Sequence, residues 1–137
     1  MSNKLLITTL VASVVAFILG YLVYGLALAS YFEGQATAQV MRADADMVWW
    51  AMIVGHLTWG FILTYIIGKL GGISTVSSGA QAGAIIGFFI SITFGMIEFG
   101  TANLSTITSY LVNAVAAGVT TAITGAVIGW MMGRGKE

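Results

Sequence analysis

The sequence predicts an all-α fold: an integral membrane four-helix bundle built from two tandem similar helical hairpins. Three observations predict it. Only 7% of the 137 residues are charged and 58% are hydrophobic, whereas a soluble domain carries about 25% charged residues. Four apolar stretches each reach the roughly 20 helical residues needed to cross about 30 Å of hydrocarbon. The second half also echoes the first. Gly20…Tyr24-Gly25…Ala27…Ser30 recurs as Gly95…Phe99-Gly100…Ala102…Ser105 at an offset of 75, and Gly60…Tyr65…Gly68-Lys69 recurs as Gly125…Trp130…Gly133-Arg134 at an offset of 65.

The expected spans are 5–29, 47–68, 79–99 and 105–132, within one transmembrane domain covering 1–137. The first follows Lys4 and ends Ala27-Leu28-Ala29-Ser30, which looks like a signal-peptidase site. Its apolar run far exceeds the about 7–15 residues of a signal core, so it is expected to remain as a helix. A loop of roughly 17 residues, 30–46, carries Glu33, Arg42, Asp44 and Asp46 and accounts for the difference between the two offsets. The second span opens with Trp49-Trp50 and closes before Lys69. The third and fourth are joined by a short polar turn around Asn103. Zero proline suits uninterrupted helices. The runs lack the alternation of barrel strands and are too long for them.

Orientation follows from the cations. Lys4, Lys69, Arg134 and Lys136 fall on one face of a four-span topology, and only Arg42 falls on the other. The positive-inside rule then places both termini in the cytoplasm, in a bacterial inner membrane. Tyr31, Phe32, Trp49 and Trp50 gather near the outer boundary, and Tyr65 and Trp130 near the inner one.

Small residues recur every fourth position. Span three carries Thr75, Gly79, Gly83, Gly87, Ser91 and Gly95, and span four carries Thr121, Gly125, Gly129 and Gly133. Gly20 and Gly60 belong to weaker versions in the first hairpin. In lipid such stripes let backbones approach and gain dispersion contacts. They serve either to pack the four helices of one chain together or to bind a partner helix or a second copy.

Ionisable and strongly polar groups inside spans are few, costly and usually turned toward protein or water. His56 lies on the small-residue face of span two and is expected to meet another helix. Glu98 lies near the outer end of span three, and Asn113 in the outer half of span four. With Arg42 and Asn103 from the loops they make a candidate polar or ligand site open to the outside. The plainer readings stand beside it: His56 as an interhelical hydrogen-bonding group, and Glu98 as an interfacial residue paired with Arg42.

Several chemistries find no support. One histidine and no cysteine leave a metal site short of ligands, and no catalytic triad can be drawn. No phosphate loop, dinucleotide fingerprint or calcium loop is present. No basic run points to nucleic acid. No cofactor and no catalytic residue are assigned.

Leu19-Gly20-Tyr21-Leu22-Val23-Tyr24-Gly25, Tyr110-Leu111-Val112-Asn113-Ala114 and Thr124-Gly125-Ala126-Val127-Ile128-Gly129-Trp130 resemble segments of a family of small bacterial four-span membrane proteins. That family is catalogued as a domain of unknown function (DUF seventeen sixty-one). The resemblance covers nearly the whole chain. It departs after Gly25, where the family continues with proline and a glycine-lysine pair and this chain reads Leu26-Ala27-Leu28-Ala29. The family has no established activity, so the resemblance implies no site residues.

Three functional readings follow. The first is an accessory or assembly subunit acting through helix–helix packing, as a homo-oligomer or within a membrane complex. The second is a small transporter or channel with His56, Glu98 and Asn113 lining an outer vestibule, histidine being the side chain type that changes charge near neutral pH. The third is a lipid- or quinone-binding membrane protein. The expected partners are the bilayer and other transmembrane helices.

Overall fold

The computed structural model describes residues 2–38 and 42–134; Lys136 and the side chain of Asp44 lie outside that description. Among the described residues the chain is helical, with one isolated antiparallel bridge. Helix α1 (Asn3–Gly20) runs on into a π-helical segment, Tyr21–Ala27. A short helix α2 (Ala29–Gln35) and a 3₁₀ turn (Asp44–Asp46) follow. Helix α3 (Trp49–Leu63) likewise runs on as a π-helix, Thr64–Leu70. Helices α4 (Val76–Thr101) and α5 (Ile107–Gly133) complete the chain. Four helical stretches, Asn3–Ala27, Trp49–Leu70, Val76–Thr101 and Ile107–Gly133, are long and apolar enough to cross a membrane. Their ends fall within a few residues of those expected from hydropathy. Helix α2 lies inside the stretch expected to be loop.

Local chemistry sets the ends. The Ser2, Thr75 and Thr106 hydroxyls accept from the backbone N–H of Leu5, Ser78 and Ser109, at 3.3, 3.2 and 3.3 Å. These are N-caps for donors that lack a helical partner. The two π segments close with five-residue bonds: Leu28 N–H to the Val23 carbonyl and Gly71 N–H to the Ile66 carbonyl, both 2.8 Å. After the second, Gly72 takes φ +61°, a conformation glycine adopts without a Cβ penalty, and the chain reverses into α4.

The α4–α5 hairpin is the most extensive contact between helices. Its register is a ladder of small residues. A Cβ on Gly79 would fall 3.2 Å from Gly129 Cα and inside the shell of the Gly125 carbonyl oxygen. One on Gly83 would meet Ala122 Cα at 3.1 Å and the Thr121 carbonyl, and one on Gly129 would meet the Thr75 carbonyl. At the end of this ladder away from the chain termini Asn113 Nδ2 donates to Ser91 Oγ at 3.0 Å. The small-residue faces of α4 and α5 are thus turned toward each other within one chain.

The first hairpin packs differently. Gly60 lies against Ser13, where a Cβ would sit 2.8 Å from the Ser13 backbone nitrogen. The sequence offsets would carry that contact onto positions 88 and 125, but Gly125 meets Gly79 and Gly83. The two hairpins therefore cross at different registers. The cause is size: α1 and α3 bring Phe17, Trp59 and His56 to their contact, while α4 and α5 bring glycine.

Helix α1 also packs on α5, and the π segment after α3 reaches α1, α5 and α4. Ala12, Leu63, Ile67 and Ile128 form the apolar core there, with Met132 and Trp59 against it. The buried set is as rich in hydroxyls as in hydrocarbon: Thr8, Thr9, Ser13, Thr64, Ser109, Thr121 and Thr124. Large apolar side chains such as Leu6, Ile7, Val14, Ile85, Phe94 and Val119 point outward.

Both ends of the bundle are tied. Lys4 Nζ donates to the Met132 carbonyl at 2.9 Å and to the Arg134 carbonyl, filling acceptors at the C-terminus of α5. At the opposite end Thr37 N–H donates to the Leu104 carbonyl at 3.0 Å, and Ser105 Oγ donates to the Gln35 carbonyl at 3.1 Å. Thr106 Oγ1 also donates to Gln35 Oε1. The segment after α2 is thereby latched to the α4–α5 turn.

Two substitutions test this packing in detergent unfolding. Gly125→Ala is expected to destabilise by about 1–3 kcal/mol through overpacking, while Gly100→Ala, with nothing within 4 Å of its Cβ, is expected to be neutral or slightly stabilising. Equal stability of the two variants would refute the close approach. Lys4→Met should cost about 1 kcal/mol and speed amide exchange in the last turn of α5, leaving α4 unaffected.

Candidate functional site

The chain's one histidine is held in a defined pose. His56 sits seven residues into α3, about 10 Å along the helix from Trp49. Its Nδ1 is 2.8 Å from the Met52 carbonyl oxygen. A carbonyl can only accept, so Nδ1 carries the proton and, in the neutral ring, Nε2 presents a lone pair. Phe17 of α1 meets the imidazole edge-to-face, with centroids 5.0 Å apart at 71°. Across from Nε2 stands Gly20, whose absent Cβ would lie 3.5 Å from that nitrogen.

His56 and Gly20 belong to the wall of a cavity of about 230 Å³. Three elements build it. Helix α1 and its π segment give Ala16, Gly20 and Tyr24; α3 gives His56 and Trp59; α5 gives Ala117, Thr120, Thr121 and Thr124. The α5 hydroxyls are partly committed to their own helix. Thr120 Oγ1 donates to the Ala117 carbonyl at 3.2 Å, and Thr124 Oγ1 to the Thr120 carbonyl at 3.0 Å. Each keeps its oxygen lone pairs for another donor. The cavity walls hold no charged side chain.

The other residues of the sequence-derived polar site lie elsewhere. Asn113 is bonded to Ser91 inside the α4–α5 contact and does not line the His56 cavity. Glu98 is exposed in the last turns of α4, Arg42 is exposed in the segment before α3, and Asn103 is exposed at the latch. The Asn103 carbonyl accepts from Thr37 Oγ1 at 2.6 Å. So His56 and Asn113 serve two different helix contacts, and Asn103 belongs to the latch. Thr120 and Thr124 were not among the expected site residues. The available signal was their four-residue spacing on α5, one face over from the glycine ladder.

Below the cavity, toward the chain termini, Thr9 and Thr64 are buried with hydroxyl oxygens that have no hydrogen-bond partner. A second recess of about 460 Å³, lined by Val23, Leu28, Leu111, Val112, Val115 and Val119, is wholly apolar in its side chains. It offers shape but no directed chemistry. No group of three or more His, Cys, Asp or Glu side chains that could hold a metal occurs among the described residues.

The tautomer is directly measurable. Protein labelled with ¹⁵N-histidine should give one imidazole pair with a protonated Nδ1 and an unprotonated Nε2; the opposite tautomer would remove the basis for an acceptor in the cavity. The chain matches no protein-family profile, no characterised protein and no solved structure.

Proposed function

We propose that this chain is an integral membrane protein, with both termini on the cytoplasmic side of a bacterial inner membrane, that binds a small molecule in the His56 cavity. The carrying observation is the pose of His56: a tethered Nδ1 leaves Nε2 free against Gly20 in a cavity between three helices.

The membrane reading draws on the distribution of polarity. Hydroxyls lie inside, and Leu, Ile, Val and Phe side chains lie outside along the four long helices. Water would not tolerate that surface, but lipid is as apolar as leucine. Lys4, Lys69 and Arg134 collect at the end that holds the termini. There Lys69 Nζ lies 5.2 Å from the Tyr65 ring centre, and the Arg134 guanidinium 4.6 Å from that of Trp130. Cations snorkelling over aromatic rings are what an interface favours. The two hairpins read as tandem copies whose registers have diverged.

An accessory role within a membrane assembly is the second reading, and one observation favours it. Every residue of α3 from Trp49 to Gly55 is exposed among the described residues, and that half-helix is the surface on which a partner would pack.

The chain's lack of cysteine makes orientation simple to test. Gly34→Cys should react with an impermeant maleimide in intact cells, and Gly72→Cys only after permeabilisation; the reverse pattern would invert the topology. For binding, native mass spectrometry from nanodiscs should find a small molecule retained by the wild type and by Gly100→Leu, but lost from Gly20→Leu. Equal retention by both variants would put the ligand elsewhere, and a stoichiometric protein chain instead of a small molecule would favour the accessory reading.

A further inference from the structure

The chemistry of the cavity walls narrows the ligand, on the reading that His56 marks a ligand site. We infer that the cavity takes an uncharged, ring-sized molecule bearing a hydroxyl donor, of the phenol or hydroquinone class. Charge is argued against first. With the imidazole in its neutral form and no Asp, Glu, Lys or Arg lining the space, an ion would lose its hydration for no compensating charge.

The need for a donor comes next. His56 Nε2 can only accept while Nδ1 donates to the Met52 carbonyl. Thr120 and Thr124 have directed their protons to the Ala117 and Thr120 carbonyls, so into the cavity they too offer lone pairs. Three acceptors therefore border the space. A ligand without a donor offers them nothing, and the cost falls chiefly on Thr124, the buried one of the three. Tyr24, Trp59 and Thr121 line the same space and bring O–H and N–H groups. A hydroxyl answers both sides, because its oxygen accepts as its proton is given to Nε2.

Size and shape set the ring. A dry cavity of about 150 Å³ is enough for benzene, so 230 Å³ holds a substituted six-membered ring. Trp59 and Tyr24 supply aromatic walls, and rings prefer offset or edge-to-face neighbours. Gly20 is the gate residue in this arrangement, since any side chain there would enter the space in front of Nε2.

The single histidine makes the test direct. ¹⁵N-histidine protein in nanodiscs is titrated at pH 8.5 with phenol, with anisole (the same ring without the O–H) and with decyl hydroquinone. Phenol is expected to move the Nε2 resonance upfield while Nδ1 barely changes. Anisole should bind roughly fivefold to tenfold more weakly, the worth of one net hydrogen bond. Gly20→Leu should abolish the response, and Thr120→Val, which keeps shape and removes one acceptor, should weaken it. A stronger response to decyl hydroquinone than to phenol assigns the ring to a lipid-borne molecule; the reverse assigns it to a soluble one. Anisole binding as tightly as phenol overturns the donor requirement and leaves the cavity a ligand site. Silence toward all three probes overturns the ligand class. If, in addition, Gly20→Leu retains the copurifying molecule, the His56 site falls as well.

Discussion

Between α4 and α5 two backbones meet with only glycine hydrogens separating them, and the rest of the fold is arranged around that contact. A Cβ at Gly79, Gly83, Gly125 or Gly129 would collide with a carbonyl oxygen of the facing helix. Dispersion between the closely approached backbones acts along the whole length of that contact. That closeness also fixes register, since a slide by one residue would bring Ala80, Ala122 or Ala126 into the seam. The Asn113–Ser91 hydrogen bond, near the α4–α5 turn, reinforces the same register. The hairpin is thus a rigid post against which α1 leans.

The first hairpin lacks this closure. Only Gly60 gives α1 and α3 a point of near contact, at Ser13. Beyond that point, away from the termini, Phe17 and His56 meet ring to ring between the helices, and α1 passes into its π segment. A π turn shifts the direction of the side chains beyond it relative to an α-helix, and such turns are frequent at functional sites. Here the segment begins at Tyr21, next to Gly20, and delivers Tyr24 to the cavity wall. Loose packing on one side of a rigid post leaves space, and the polar groups of α5 and α3 border it.

Legibility in the sequence divided along the same line. Length and hydropathy sufficed for four long helices, because each run exceeds the span requirement and ends at Gly, Ser, Thr or a cation. The four-residue spacing of small residues was visible, as was the inward face of His56. Pairing was not visible. The repeat implied equivalent hairpins, yet side-chain bulk at Phe17 and Trp59 set a different register in the first. Asn113 and His56, both on small-residue faces, consequently landed on separate contacts. Helix α2 lay hidden in a segment with two glycyl-type breakers nearby and no apolar period. The π segments leave no composition mark, since they depend on which carbonyl, Val23 or Ile66, receives the closing N–H.

The hydroxyl-rich interior follows from the same economy of forces. Thr and Ser side chains are small enough to allow close helix approach and can satisfy themselves on their own backbone, as Ser13 does on the Thr9 carbonyl at 2.8 Å. Such residues pack without demanding a partner from a neighbouring helix. Where a neighbour stands back, they keep lone pairs directed at open space. Thr120 and Thr124 are in that position because α3 packs mainly on α1 and not on α5. The polar character of the cavity is therefore a consequence of how the helices are glued, and His56, with one nitrogen tethered and the other free, converts that incidental polarity into a directed acceptor.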